Sequence, residues 1–415
     1  MTGTEAVAGK VLDWGLDNER QLAHYPLDST MPSDRQVPQR YAADGTGHRL
    51  PVVSAIDAGD DSSLAVLPDG KVLGWGANEY GELGLGLVSR YESPTVVPGL
   101  TDAVRVAAGT HSLALRADGT IAGWGDNYYG QVGDGTGGSA NRCRTTPVQV
   151  AGLTDVIAVD SNGRWSFSVA LRADGTVWTW GANHAGQLGQ GTVGGLWLRP
   201  AKVAGVSDVT AVSAGDGFVL ALRSDGTVVA WGGFNEYGQL GNGTISRIPH
   251  PEPARVLGLT DAVAVAAGAG HAVALTADGS ARSWGNNHEG QLGINDLSCP
   301  ASPVPVRNAA SDDDWDPDLR ATKIEAGANV TLAIRRDGTL VGWGACRGQL
   351  LPTGNRTPPI VVPRPRLTVY RSRTTEAPSI LDGIAAVSIG RGHVLTVQTA
   401  RPEHCDPGHV GDVNL

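Results

Sequence analysis

Residues 115–133 read LRADGTIAGWGDNYYGQVG, and the pattern returns at 171–189 (LRADGTVWTWGANHAGQLG), 222–241 (LRSDGTVVAWGGFNEYGQLG) and 275–293 (LTADGSARSWGNNHEGQLG). In each copy an apolar run meets Asp-Gly, and a second run follows that ends on Trp-Gly. Asp-Gly between two apolar runs signals a β-hairpin, because glycine accepts the positive φ of a tight turn whose twist matches the strands. The pair stands at Asp69-Gly70, Asp118-Gly119, Asp174-Gly175, Asp225-Gly226, Asp278-Gly279 and Asp337-Gly338. Upstream of each hairpin lies another strand-like run, such as Ala103-Val104-Arg105-Val106-Ala107 closed by Ala108-Gly109. Downstream, Gly-Gln-Leu-Gly leads into a variable stretch with Thr-Pro-Val or similar, which makes four strands per unit.

Aligned on Trp-Gly, the chain shows seven units at Trp14, Trp75, Trp124, Trp180, Trp231, Trp284 and Trp343, spaced by 61, 49, 56, 51, 53 and 59 residues. A four-stranded unit of this size cannot bury both faces of its sheet alone, and radial stacking into a closed ring protects the edges that an open array would leave bare. The expected fold is all-β: a seven-bladed β-propeller with four antiparallel strands per blade. The sequence opens midway through a unit, at Gly9 to Trp14, and supplies the missing half at Ala386 to Val397. One blade is therefore expected to be shared by residues 9–22 and 384–398, closed by both termini, with 1–415 forming one domain. Insertions are expected at 24–52, 294–320 and 352–380, and a tail at 399–415. Blades one and seven depart most from the pattern, at NERQLA and ACRGQLLP, and should be the least regular.

With 58 glycines, 24 prolines, 41% hydrophobic and 18% charged residues, the composition is that of a turn-rich globular chain. The formal net charge of −10 repels a phosphate backbone, so no nucleic-acid partner is expected. No apolar run approaches the length of a membrane span and no leader is read at the start, which predicts a cytoplasmic protein, or a secreted one if the chain is a processed form. Cys143, Cys299, Cys346 and Cys405 lack paired spacing, and a core of this size does not need disulfides, so they are expected to be reduced.

The combination of Ala-Gly, a recurrent His, Leu-Ala-Leu, Asp-Gly, Trp-Gly and Gly-Gln-Leu-Gly resembles the regulator-of-chromosome-condensation repeat, across residues 1–400, with a bacterial member expected. The resemblance implies a seven-bladed propeller. It also implies two specialised roles: some bacterial members clamp an enzyme such as a β-lactamase with aromatic loop residues, and the eukaryotic founder is a guanine-nucleotide exchange factor that docks on nucleosomes through a basic tail. The N-terminal residues here carry no basic arm and loop Asp134–Thr146 no obvious wedge, which ranks exchange activity low.

A Trp at one strand position in every blade is what inter-blade packing demands. His111, His271 and His393 occupy corresponding positions that hold Ser62, Phe167, Phe218 and Val330 in other blades, a pattern suited to a half-buried strand start and not to a ligand ring. His404, Cys405, Asp406 and His409 match no closed zinc spacing. No nucleophile elbow, phosphate loop or HExxH motif is present, and no cofactor or metal is expected. The variable loops are more informative, since loops on a rigid frame carry recognition. Between Trp-Gly and Gln-Leu stand Tyr80, Tyr128, Tyr129, His184, Tyr237, His288 and Arg347, which should form a ring on one face. A second ring comes from the turns after Ala-Gly: Asp60-Asp61, Thr110, Arg164-Trp165, Asp216, Asn329 and Arg391, with Trp165 an aromatic outside the packing register. In the insertions, Asp312-Asp313-Asp314-Trp315-Asp316 reads as a solvated loop, and Arg356, Arg364, Arg366, Arg371 and Arg373 form a basic stretch.

The favoured function is a non-catalytic, monomeric interaction module that presents these loops to a protein partner. An inhibitor of the β-lactamase-inhibitory propeller type, an exchange factor, and an enzyme with its site in the central channel or under an insertion are the alternatives. A deep pocket holding two or more titratable groups with strongly shifted pKa values would favour the enzyme, and a flat face the module.

Overall fold

The computed structural model describes residues 10–16, 34–40, 50–162, 164–294, 297–306, 319–345, 368–369, 371–372, 379–380, 384–391 and 393–399. Seven four-stranded antiparallel sheets form the blades, each running from an inner strand at the axis to an outer strand at the rim. Blade 3 is typical: Ala103–Ala107, His111–Arg116, Ile121–Asp126 and Cys143–Gln149. The inner strands of the other blades are Ala55–Ala58, Val156–Asn162, Val209–Ala214, Ala262–Ala267, Ala321–Gly327 and Ile384–Ile389. Consecutive inner strands touch all the way round, and Ile384–Ile389 returns to Ala55–Ala58, so the ring is closed.

Closure is made in blade 1, which assembles Ile384–Ile389, His393–Gln398, Lys10–Leu16 and Asp34–Arg40. Lys10–Leu16 pairs antiparallel with His393–Gln398, from Lys10 opposite Gln398 to Gly15 opposite His393. Most of the insertions 24–52, 294–320 and 352–380, the acidic run 312–316 and the tail beyond 399 lie outside the described residues.

The Asp-Gly hairpins are present, and glycine supplies the positive φ expected of it. In blade 3, Arg116 N–H donates to Thr120 O at 2.9 Å and Gly119 N–H to Arg116 O at 3.0 Å, so the loop is three residues, Ala117-Asp118-Gly119. Only the glycine takes positive φ, +78°, as in a type I turn closed by a left-handed residue. Asp118 contributes through its carboxylate, which accepts from Thr120 Oγ1 at 2.7 Å and Thr120 N–H at 2.9 Å and is held below the ordinary carboxylate range by those bonds.

Seven apolar clusters lie one between each pair of neighbouring blades. Trp75, Trp124, Trp180, Trp231 and Trp284 are fully buried there. Four of these indoles satisfy their N–H on the preceding blade: Trp124 Nε1 donates to Glu82 O at 2.8 Å, Trp180 to Gln131 O at 2.8 Å, Trp231 to Gln187 O at 3.1 Å and Trp284 to Gln239 O at 2.8 Å. The last glycine of Gly-Gln-Leu-Gly makes room for this approach: a Cβ on Gly189 would stand 2.6 Å from Trp231 Nε1, and its φ is +67°.

The three histidines are fully buried, deeper than the half-buried setting expected of them. Each reaches across a blade interface: His393 Nε2 to Ser63 Oγ at 2.9 Å, His111 Nε2 to Ser168 Oγ at 2.8 Å and His271 Nε2 to Thr331 Oγ1 at 2.9 Å. Burial pushes His111 and His271 down to about 3 and His393 to about 4, so all three are neutral clamps between blades.

Candidate functional site

In an antiparallel sheet the first and third strands run in the same direction, so the turn that ends each inner strand and the loop that follows each Trp-Gly emerge on one face. The two variable rings read from the sequence therefore converge. The turns form the mouth of the axial channel, and the loops form a circle outside it.

In the outer circle the aromatic residues bridge neighbouring blades. The Arg142 guanidinium of blade 3 lies 5.3 Å from the Tyr80 ring centroid of blade 2. Tyr128 and Tyr129 meet edge to face at 4.9 Å, and Tyr129 meets His184 of blade 4 in the same way at 4.9 Å. Trp165 of blade 4 lies 6.4 Å from Phe234 of blade 5, and Tyr237 of blade 5 meets His288 of blade 6 at 5.4 Å. One such contact bridges each neighbouring pair of blades from 2 to 6, with Tyr128 (42% exposed), Phe234, His184 and His288 open to solvent and Tyr80, Tyr129, Tyr237 and Trp165 half-buried. Arg347 lies outside the described residues.

The loops are held rigidly from beneath. Asn127 is fully buried and its Oδ1 accepts from Val132 N–H at 3.1 Å, while Gln131 Oε1 accepts from Tyr129 N–H at 2.9 Å. Asn183 with Gln187 and Asn235 with Gln239 repeat the arrangement. At the mouth, Arg164 Nη1 donates to Asp216 Oδ2 at 2.8 Å and Asn162 Nδ2 to Asp216 Oδ1 at 3.1 Å, which ties blade 4 to blade 5. Trp165 lies over Gly217, where a Cβ would stand 2.9 Å from the indole, so this aromatic is also part of the blade 4–5 junction. Asp60 is pushed up to about 6 by burial and by the nearby Asp216 and Asp61 carboxylates, against the pull of Arg391 and Arg164.

Below the mouth the channel opens into a cavity of about 370 Å³ lined by all seven blades. One register position, two residues before the glycine of the inner turn in most blades, reads Ser388, Asp57, Ala107, Asp160, Ser213, Ala266 and Glu325 in blades 1 to 7. Four of these side chains tie to the next blade. Ser388 Oγ accepts from Ala58 N–H at 3.0 Å, Asp57 Oδ2 from Ala108 N–H at 2.7 Å, Asp160 Oδ2 from Ala214 N–H at 2.8 Å and Ser213 Oγ from Ala267 N–H at 3.1 Å. Ser388 Oγ also donates to Asp57 Oδ1 at 2.7 Å. Loss of water pushes Asp57 up to about 6 and Asp160 to about 7, the latter helped by the Asp57 charge. Desolvation and then the Asp57 and Asp160 charges hold Glu325 well above the glutamate range.

Sequence reading missed this carboxylate set. Its signal is faint: three acids at a register where the other repeats hold Ala or Ser. Among the described residues no three His, Cys, Asp or Glu side chains are grouped to hold a metal ion, and no helix is long and apolar enough to cross a membrane.

The regulator of chromosome condensation (RCC1) repeat model matches residues 69–115, 174–222, 225–275 and 278–334, and a second model of the same repeat matches 53–82, 105–131, 156–187, 209–239 and 262–291. Among curated proteins, the chain is 33% identical to the E3 ubiquitin-protein ligase HERC2 of Homo sapiens over 58% of its own length and 5% of the relative's. It is 33% identical to the ultraviolet-B receptor UVR8 of Arabidopsis thaliana, covering 48% of the chain and 44% of the relative. To the mitochondrial RCC1 domain-containing protein RUG3 of the same plant it is 30% identical, covering 68% and 64%. The chain thus spans less than two thirds of each of these relatives. Two solved structures share the fold: Prp20p from Saccharomyces cerevisiae (TM-score 0.73, 19% identity, covering 96% of this chain and 93% of that one) and human WBSCR16 (TM-score 0.75, 22% identity, 94% and 100%). These relatives come from animals, a plant and yeast, so the expectation of a bacterial member is not borne out. The repeats, their register and the closed seven-bladed ring agree on one conclusion: the chain belongs to the regulator of chromosome condensation repeat family.

Proposed function

We propose that this propeller is a monomeric, non-catalytic interaction module that engages a protein partner with the face carrying Tyr80, Tyr128, Tyr129, His184, Tyr237, His288, Arg164 and Trp165. The observation that carries the reading is the convergence of both variable rings on this one face, where a contact to an aromatic ring bridges each neighbouring pair of blades from 2 to 6. Half-buried tyrosines held by neighbours offer large contact area with little conformational entropy left to lose. Prp20p, which shares the fold, has binding properties towards Gsp1p and histones, and a protein partner for this chain accords with that.

The test is affinity capture on the immobilised chain, with Tyr128→Ala/Tyr129→Ala compared against Ile157→Ser, an exposed position at the opposite end of an inner strand. A partner lost by the tyrosine variant and kept by the Ile157 variant is expected. Equal retention by both would remove the aromatic face from consideration.

Catalysis in the channel is a second reading, drawn from the cavity and its shifted carboxyls. It is ranked below the first because Asp57 and Asp160 each engage both oxygens with backbone amides or Ser388.

A further inference from the structure

At the channel register where Ser388, Asp57, Asp160 and Ser213 each accept an amide hydrogen bond from the next blade, Glu325 does not. Its side chain is one methylene longer than aspartate and lines the cavity, and among the described residues no hydrogen bond or ion pair reaches it. Inter-blade tying explains the two aspartates and leaves this glutamate without a structural partner among the described residues.

Its neighbours make that position more unfavourable still. Asp57, Asp160 and Glu325 sit on blades 2, 4 and 7, spread round the axis by steps of two, three and two blades, and each of the two aspartates raises the energy of a charge on Glu325. Ala107 and Ala266, at the same register on blades 3 and 6, leave the space between them unfilled. Of the cations near the cavity, Arg164 pairs with Asp216, Lys323, one step down the strand from Glu325, donates to Ala385 O at 2.7 Å, and Arg391 acts on the carboxyls of Asp60 and Asp216 at the mouth and not on Glu325. In all, six carboxyl groups line the cavity against two guanidinium groups.

We propose that the axial channel is a binding site for an elongated organic cation, an alkyl chain ending in ammonium or guanidinium groups, with Glu325 as its principal anchor and Asp57 and Asp160 completing the ring. The spread of the carboxyls round the axis suits a chain that contacts them in turn, whereas no three of them are grouped for a single metal ion. At about 370 Å³ the cavity falls at the small end of ligand pockets and accommodates a polyamine or the end of a basic side chain. The same chemistry can arrive as a free polyamine or on a lysine or arginine of a bound protein. The site is independent of the aromatic face, and its failure would leave that reading intact.

Calorimetric titration of the full chain with spermidine, and separately with N-acetyl-lysine amide, at physiological ionic strength tests it. Saturable one-to-one binding is expected, with protons released as the carboxyls ionise, detected by comparing buffers of different ionisation heat. Glu325→Gln and Asp160→Asn should each weaken binding about tenfold or more, and Asp118→Asn, in a turn at the opposite face, should not. Binding of spermidine alone assigns a free polyamine, and binding of both assigns a basic side chain as well. Glu325→Ser installs the residue that blades 1 and 5 carry, so it should raise the melting temperature and abolish the further rise that spermidine gives the parent. No saturable binding, an equal loss in Asp118→Asn, or a lower melting temperature in both Glu325 variants would overturn the proposal.

Discussion

Glu82 occupies the place that Gln131, Gln187, Gln239 and Gln291 hold in the following blades, and it does their work: its Oε2 accepts from Tyr80 N–H at 2.7 Å. It is only 4% exposed, and burial pushes its carboxyl up to about 7. A carboxyl whose folded pKa lies above its unfolded one contributes fully below pH about 4.5 and loses that contribution as the pH climbs through 7. Glu82→Gln should therefore stabilise the protein at pH 8 by on the order of 2 kcal/mol, with the gain vanishing towards pH 4.5. Thermal unfolding across that range checks it. At this scale the sequence was legible where one residue type recurs, as with the tryptophans, whose burial and role follow from repetition. It was poorly legible at Asp57, Asp160 and Glu325, because a lumen-facing position differs from its neighbours only in what the other six blades place opposite it.

Between strands, the His clamps illustrate a recurrent choice. His271 lies against Gly268 as Phe218 lies against Gly215, so ring shape suits both and the hydrogen bond to Thr331 is the difference. Thr331 Oγ1 also donates to Gln291 O at 2.9 Å and keeps a partner if the histidine is replaced. The folded pKa of His271, about 3, lies below its ordinary 6.5, so its stabilisation is present above pH 6.5 and is lost as the pH falls towards 3. His271→Phe should cost about 1 kcal/mol at pH 7 and overtake the parent as the pH drops towards 4. Acid-unfolding curves of the two proteins should cross, and parallel curves would show that the clamp carries no proton linkage. The hairpins show the limit of pattern reading at this scale. Asp-Gly marked each turn correctly, yet the loop holds three residues because aspartate serves as a hydrogen-bond acceptor and leaves positive φ to glycine alone.

Over the whole ring, blade number and closure were legible because each unit must meet two neighbours, and a half unit at either end can only complete the other. The convergence of the two variable rings followed from strand direction, which the sequence carries but a list of motifs hides. Closure also makes blade 1 a common dependency. A chain ending at residue 383 would lose Ile384–Ile389 and His393–Gln398 and strip Lys10–Leu16 of its partner. Its unfolding should become broad and non-coincident between near- and far-ultraviolet dichroism, where the full chain gives one transition.

The pairing of Lys10 opposite Gln398 also sets how the molecule bears load. Lys10 and Gln398 lie at the same end of the two paired strands, so a tether pulling on residues 10 and 398 peels their hydrogen bonds apart one after another instead of shearing all of them together. Along that axis the ring is mechanically soft, opening like a zip from the blade that fastens it, while every other blade is loaded only after this one has parted.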